Sequence, residues 1–139
     1  MTRVDFYVVS DASPEARLQV AARLTEKAQR QGHSLFINTS SESEAEALDE
    51  LLWTFRPASF IPHQRVSESA QGPVILGWGQ EPEGHDDVLI NLALTQPAFF
   101  SRFQRVAEVV TQDVTALEAM RNAWRFYKDR GYPLQKHDL

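Results

Sequence analysis

The sequence predicts an α/β fold: a three-layer sandwich with a mostly parallel, Rossmann-like sheet, built as a single domain over residues 1–139. Three observations predict it. Compact runs rich in β-branched and aromatic residues alternate with longer segments whose apolar residues recur at three and four, so strand and helix signals take turns along the chain. The first strand, helix and strand fit within about forty residues, the spacing of a right-handed crossover between parallel strands. A length of 139 residues with 42% hydrophobic content suffices for one packed core.

The elements follow in order. Residues 3 to 9, "RVDFYVV", read as a buried strand, and Ser13 with Pro14 reads as an N-cap and first helical position. From Pro14 to Gln31 the stripe of Leu18, Ala21, Leu24 and Ala28 makes an amphipathic helix that Gly32 stops. "SLFIN", 34 to 38, is the second strand. Ser41 and Glu44 have the spacing of a capping box before "ESEAEALDELLW", whose inward stripe is Ala45, Leu48 and Leu52. "TFRPASFIPHQR" carries two prolines and reads as a packed connection holding Phe55, Phe60 and Ile61. "PVILGW", 73 to 78, and "DVLINL", 87 to 92, are third and fourth strands; "QPAFFSRF" is a short helix and "RVAEVV" a fifth strand. Asp113 caps a final helix that ends at Gly131.

Composition excludes several functions. A net charge of −5 and a pI near 5.3 argue against sequence-independent coating of nucleic acid, although a local basic patch is compatible with them. Without cysteine there is no disulfide framework, thiolate metal site or cysteine nucleophile, which fits a reducing cytoplasm. The opening residues lack the apolar core of a signal peptide, and no apolar run approaches the roughly eighteen residues that span a bilayer. A soluble cytoplasmic protein with no membrane contact is expected.

The turn after the first strand, "VVSDASPEA", has no glycine to bring amides to a pyrophosphate and places Asp11 where an anion would sit. "GWGQEPEG" contains a Gly-x-Gly but opens no helix. His33, His63, His85 and His137 are scattered and read as surface or loop residues, with no helical pair for a metal. "HDD", 85 to 87, reads as a turn before a strand, and no Gly-x-Ser-x-Gly elbow occurs. The expectation is no enzyme, no cofactor and no metal.

"RNAWRFYKDRGY", 121 to 132, carries the most information. Rotation by about 100° per residue puts Val114, Leu117, Met120, Trp124 and Tyr127 in one inward sector. Arg121, Arg125 and Lys128 form a stripe beside it, with Trp124 at the seam. Residues 121 to 139 hold five Lys/Arg against two Asp/Glu, whereas residues 41 to 50 hold five acids and no base. The stripe is either a solvated helix face or the rim of a site for a ligand with anionic and apolar parts.

"VDFYVV", "LDELLWTFRPASFIPH", "DVLINL" and "RNAWRFYKDRGYPL" together resemble the chi subunit family of bacterial DNA polymerase III, over essentially the whole chain. The resemblance implies a non-catalytic clamp-loader accessory protein of DNA replication with two partners. One is the acidic, Pro-Phe-ended C-terminal tail of single-stranded DNA-binding protein; the other is the psi subunit, which links it to the clamp loader. Carried onto this chain, it implies a tail site of Arg121, Trp124 and Arg125, with Val110 lining a recess for the Phe and Lys128 extending the stripe. Trp53, Phe55, Phe60 and Pro62 are then the psi-binding candidates. Nucleic-acid contact is expected to be indirect. The alternative is a module that binds single-stranded nucleic acid directly through the basic, aromatic final helix.

Overall fold

Alternation along the first strand decides which side of the sheet each residue serves. In β1 (Arg3–Val8), Val4, Phe6 and Val8 take one face while Arg3, Asp5 and Tyr7 take the other. A computed structural model describes residues 1–55, 61–66 and 72–139 of the chain. Within them the chain continues through α1 (Pro14–Arg30), β2 (Leu35–Thr39), α2 (Glu42–Thr54), β3 (Gln64–Arg65), β4 (Val74–Trp78) and β5 (Val88–Asn91). A single 3-10 turn at Phe100–Arg102 leads to β6 (Arg105–Val110), α3 (Val114–Asp129) and β7 (Leu134–Asp138). The seven strands form one sheet in the order β3-β4-β2-β5-β6-β1-β7, and each pairing is parallel.

Helices cover both faces, which gives the three layers. On one side α1 and α2 press Val20, Ala21, Leu48 and Leu52 onto Leu35, Ile37, Leu76 and Ile90. On the other, α3 and the 3-10 turn bury Tyr127, Ala123, Phe100 and Phe103 against Phe6, Phe36, Leu89 and Val106. The caps form where the sequence places them. Ser13 accepts a hydrogen bond from the Ala16 amide at 3.2 Å, and Gly32 stands at φ +87°, a conformation costly for any side chain. Ser41 likewise accepts from the Glu44 amide at 3.1 Å, but the Glu44 carboxylate turns back to the Ser40 amide at 2.8 Å, one residue further than a capping box requires. Glu44 also pairs with Arg17, tying α2 to α1.

The parallel relation expected of β1 and β2 holds, with β5 and β6 lying between them in the sheet. Several expectations are corrected. The helix expected over 96–103 shrinks to the 3-10 turn. Two strands escaped the sequence reading: β3, only two residues long, and β7, the edge strand "LQKHD". Val114, placed in the inward sector, is 78% exposed, because the line facing the sheet runs through Ala116, Ala123 and Tyr127. His63 lies in a loop, one of the two places expected for it, but is buried there, with its ring nitrogens against the carbonyls of Ile61 (2.6 Å) and Asp49 (3.1 Å). Asp87 of "HDD" does structural work, accepting from the Ser34 amide at 3.1 Å and meeting His33 at 3.0 Å.

A polar chain crosses the core under α3. The Asn38 amide donates to Asn91 Oδ1 at 3.0 Å, Asn91 Nδ2 donates to Glu108 at 3.0 Å, and the Tyr127 hydroxyl donates to Glu108 Oε2 at 2.7 Å. Burial pushes the Glu108 carboxyl up to about 7, against the opposing pull of the Tyr127 and Asn91 hydrogen bonds. Burial, then the neighbouring Glu108, also raises the Tyr127 hydroxyl, so it stays a donor.

Candidate functional site: the exposed face of the final helix

The local sequence fixes how α3 is presented. Asp113 caps it by accepting from the Ala116 amide at 3.1 Å, and the Thr111 hydroxyl steadies the other carboxylate oxygen. Those two hydrogen bonds, Thr111's first, hold the Asp113 carboxyl below its ordinary value. At the far end Gly131 at φ +80° lets the Tyr132 amide return to the Tyr127 carbonyl at 3.1 Å. Between them Ala116 and Ala123 let the helix approach the sheet, and Tyr127 anchors it at 0% exposure.

Rotation then sets the outer face. Trp124 is half-buried, its indole tilted over Phe6 with ring centres 5.2 Å apart. Arg121, Arg125 and Lys128 stand exposed beside it, and among the described residues no hydrogen bond or ion pair engages their charged groups. Arg130 differs: its guanidinium lies 3.7 Å from the Phe126 ring centre and donates to the Phe126 carbonyl at 3.2 Å, so it closes the helix end. The structure thus brings Arg121, Trp124, Arg125 and Lys128 onto one face. Val110 lies underneath, 6% exposed at the end of β6, beside a void of about 20 Å³ shared with Phe6, Met120 and Ala123. That volume holds roughly one water molecule.

One cation was missed by the sequence reading. Lys136 stands in register with Phe6, on the sheet face that Trp124 covers, and reaches Asp138 at 3.4 Å. No local signal marks it, because its place depends on the pairing of β7 with β1.

The second candidate group divides. Trp53 is 50% exposed at the end of α2, its indole 4.6 Å from the His63 ring. With exposed Pro62 it lines a concavity of about 170 Å³ whose other walls include Gly72 and Val74. Phe55 instead packs against the core beneath α1 and α2. Phe60 lies outside the described residues.

Among the described residues no three His, Cys, Asp or Glu cluster as metal ligands, and no helix is long and apolar enough to cross a membrane.

Residues 1–135 match the family model described as DNA polymerase III chi subunit, HolC. The chain is 50% identical over 139 residues to the DNA polymerase III subunit chi of Pseudomonas aeruginosa, covering 100% of this chain and 98% of that protein. It is 28% identical over 119 residues to the subunit chi of Escherichia coli, covering 84% of this chain and 81% of that one. Among solved structures, domain 2 of the DEAD-box helicase Mss116p, bound to an RNA duplex, superposes with a TM-score of 0.63 at 8% identity. That match covers 98% of this chain and 64% of the helicase structure. T4 UvsW gives 0.67 at 9% identity over 99% of this chain and 42% of its own. These two likenesses concern the fold alone.

Proposed function

The chain belongs to the DNA polymerase III chi subunit family, an accessory rather than catalytic subunit, and from that premise we propose that it acts as a non-catalytic adaptor in the clamp-loader complex. It binds the acidic, Phe-ended tail of single-stranded DNA-binding protein on α3 and reaches the clamp loader through psi. The observation that carries this reading is the exposed cationic stripe of Arg121, Arg125 and Lys128, unpaired among the described residues, beside a half-exposed Trp124 in a chain of net charge −5.

An arginine holds a terminal carboxylate by two parallel hydrogen bonds, and the neighbouring apolar seam takes the phenyl ring. Leu117 and Trp124 supply the seam's wall. Val110 becomes its floor when the flexible Met120 side chain moves aside, since the void there is too small for a ring. Lys128 and Lys136 attract the acidic residues that precede the terminus, an effect that speeds encounter and fades with salt. Trp53 and Pro62, open to solvent around their shared concavity, form the psi surface. Phe55 supports that surface from within.

A titration with a labelled acidic peptide ending in Pro-Phe, against the same peptide without its Phe and against a single-stranded oligonucleotide, tests the tail site. Arg121→Ala is expected to weaken the peptide by about tenfold, the scale of one charge-assisted hydrogen bond, and to leave the thermal midpoint nearly unchanged. Tighter binding of the oligonucleotide, or unchanged peptide affinity in the variant, defeats the assignment. For the second surface, Trp53→Ala is expected to reduce psi capture roughly tenfold while costing only about 1 kcal/mol of stability. Undiminished capture in a pull-down removes Trp53 from that interface.

A further inference from the structure

A slot of about 290 Å³ opens on the opposite face of the sheet, between the second half of α1 and the amino ends of the strands. Its walls are apolar at depth, where Leu24 and Ala28 of α1 face Ile90 and Ala107 of β5 and β6. Ala28 and Ala107 are small, and their size keeps the slot open. Tyr7 and His137 form one side as a stacked pair, centres 4.7 Å apart and planes 13° from parallel.

The rim has a different character. Arg3, Lys27 and Arg105 all border the opening, and none of its described lining residues is acidic. Asp5, whose side chain is 1% exposed, lies beneath the rim; it meets Arg105 Nε at 3.1 Å, His137 Nε2 at 3.0 Å and Arg3 at 3.6 Å. That buried charge accounts for part of the positive rim, but not for all of it. Arg105 uses only Nε on Asp5, leaving both terminal nitrogens without a hydrogen bond among the described residues, and Lys27 makes no ion pair there. On the next wall, His33 is engaged by Asp87. Cations gathered around a low-dielectric recess concentrate the field that draws an anion in.

We propose that this slot is a second binding site, for a small ligand carrying one anionic group, carboxylate or phosphate, on a flat apolar body. The body enters between Ala28 and Ala107 and lies against the Tyr7–His137 pair. The anionic group stays at the rim, where Lys27 and the free guanidinium nitrogens of Arg105 donate to it. The site is separate from α3: the sheet stands between them.

The test is a titration of ¹⁵N-labelled protein with benzoate and with phenyl phosphate at constant ionic strength, with acetate and inorganic phosphate as controls. Saturating amide shifts confined to the surroundings of Arg3, Tyr7, Lys27, Arg105 and His137 are expected for at least one aromatic probe, with its control about tenfold weaker for want of a buried ring. Whichever aromatic probe saturates at lower concentration identifies the anionic group. Lys27→Gln should weaken that probe about fivefold. Ala28→Leu, which fills the slot on a helix that tolerates leucine, should abolish saturation while the thermal unfolding curve stays cooperative. Arg121→Ala should leave the titration unchanged, so this site can fail or stand independently of the tail site. Shifts that never saturate, that spread equally to Arg121 and Arg125, or that survive both slot variants overturn the proposal.

Discussion

Tyr127→Ala is expected to remove about 4 to 5 kcal/mol of folding stability, measured by urea unfolding near neutral pH. Tyr127 has no exposed surface, and its ring meets Phe100 at 5.3 Å, Phe6 at 6.0 Å and Tyr132 at 6.1 Å between centres. Truncating a fully buried aromatic side chain to alanine costs about 3 to 5 kcal/mol through lost transfer energy and the cavity left behind. The hydroxyl adds to that cost, because its loss removes a donor from buried Glu108 at 2.7 Å. Tyr127→Phe separates the contributions and is expected to cost about 1 to 2 kcal/mol. Domains of this size have roughly 5 to 15 kcal/mol in total, so the alanine variant sits near the edge of folding. Since Tyr127 pins the helix that carries Arg121, Trp124 and Arg125, peptide binding should fall with it. A loss under about 1 kcal/mol for Tyr127→Ala would mean that α3 does not depend on this anchor.

The second large effect is a pH dependence of opposite sense to ordinary acid denaturation. Glu108 rises from 4.5 to about 7 in the folded protein, chiefly because burial disfavours its charge. Below pH 4.5 both folded and unfolded states hold the proton, and its contribution to stability is fully present. As pH climbs toward 7 the unfolded chain releases the proton first, so stability declines; above about 7 both states are ionised and the decline stops. The displacement corresponds to about 3 kcal/mol. Glu108→Gln has no such proton, so the variant's stability relative to the parent should improve by about that amount between pH 4.5 and 8. A difference that stays flat across the window would show that Glu108 titrates normally.

The sequence reading and the structure part company for reasons tied to particular residues. The buried strands were legible because β2, β4 and β5 are covered on both faces and therefore read as continuous apolar runs. Among the described residues β7 has only β1 as a neighbour, so its outer residues remain polar and "LQKHD" gives almost no apolar signal. Val114 was misplaced because large apolar residues dominate a helical-wheel reading. Ala116 and Ala123, which mark the closest approach to the sheet, contribute little hydropathy. The cationic stripe was legible, since Arg121, Arg125 and Lys128 share one sector by periodicity alone. Lys136 and the slot under α1 were not. Both depend on strand register, which brings Lys136 beside Phe6 and Arg3 beside Arg105, residues that no local pattern joins.

The position of β1 between β6 and β7 has a consequence for how the protein is made. β1 is synthesised before the other described strands, whereas the partners that hydrogen-bond its two edges, Arg105–Val110 and Leu134–Asp138, come after all the rest of them. Until they emerge, Val4, Phe6 and Val8 form an apolar strand with both edges open, the kind of segment that nascent-chain chaperones protect. A chain cut before Leu134 would deprive β1 of one edge partner for good, so the strand made early would depend on β6 alone.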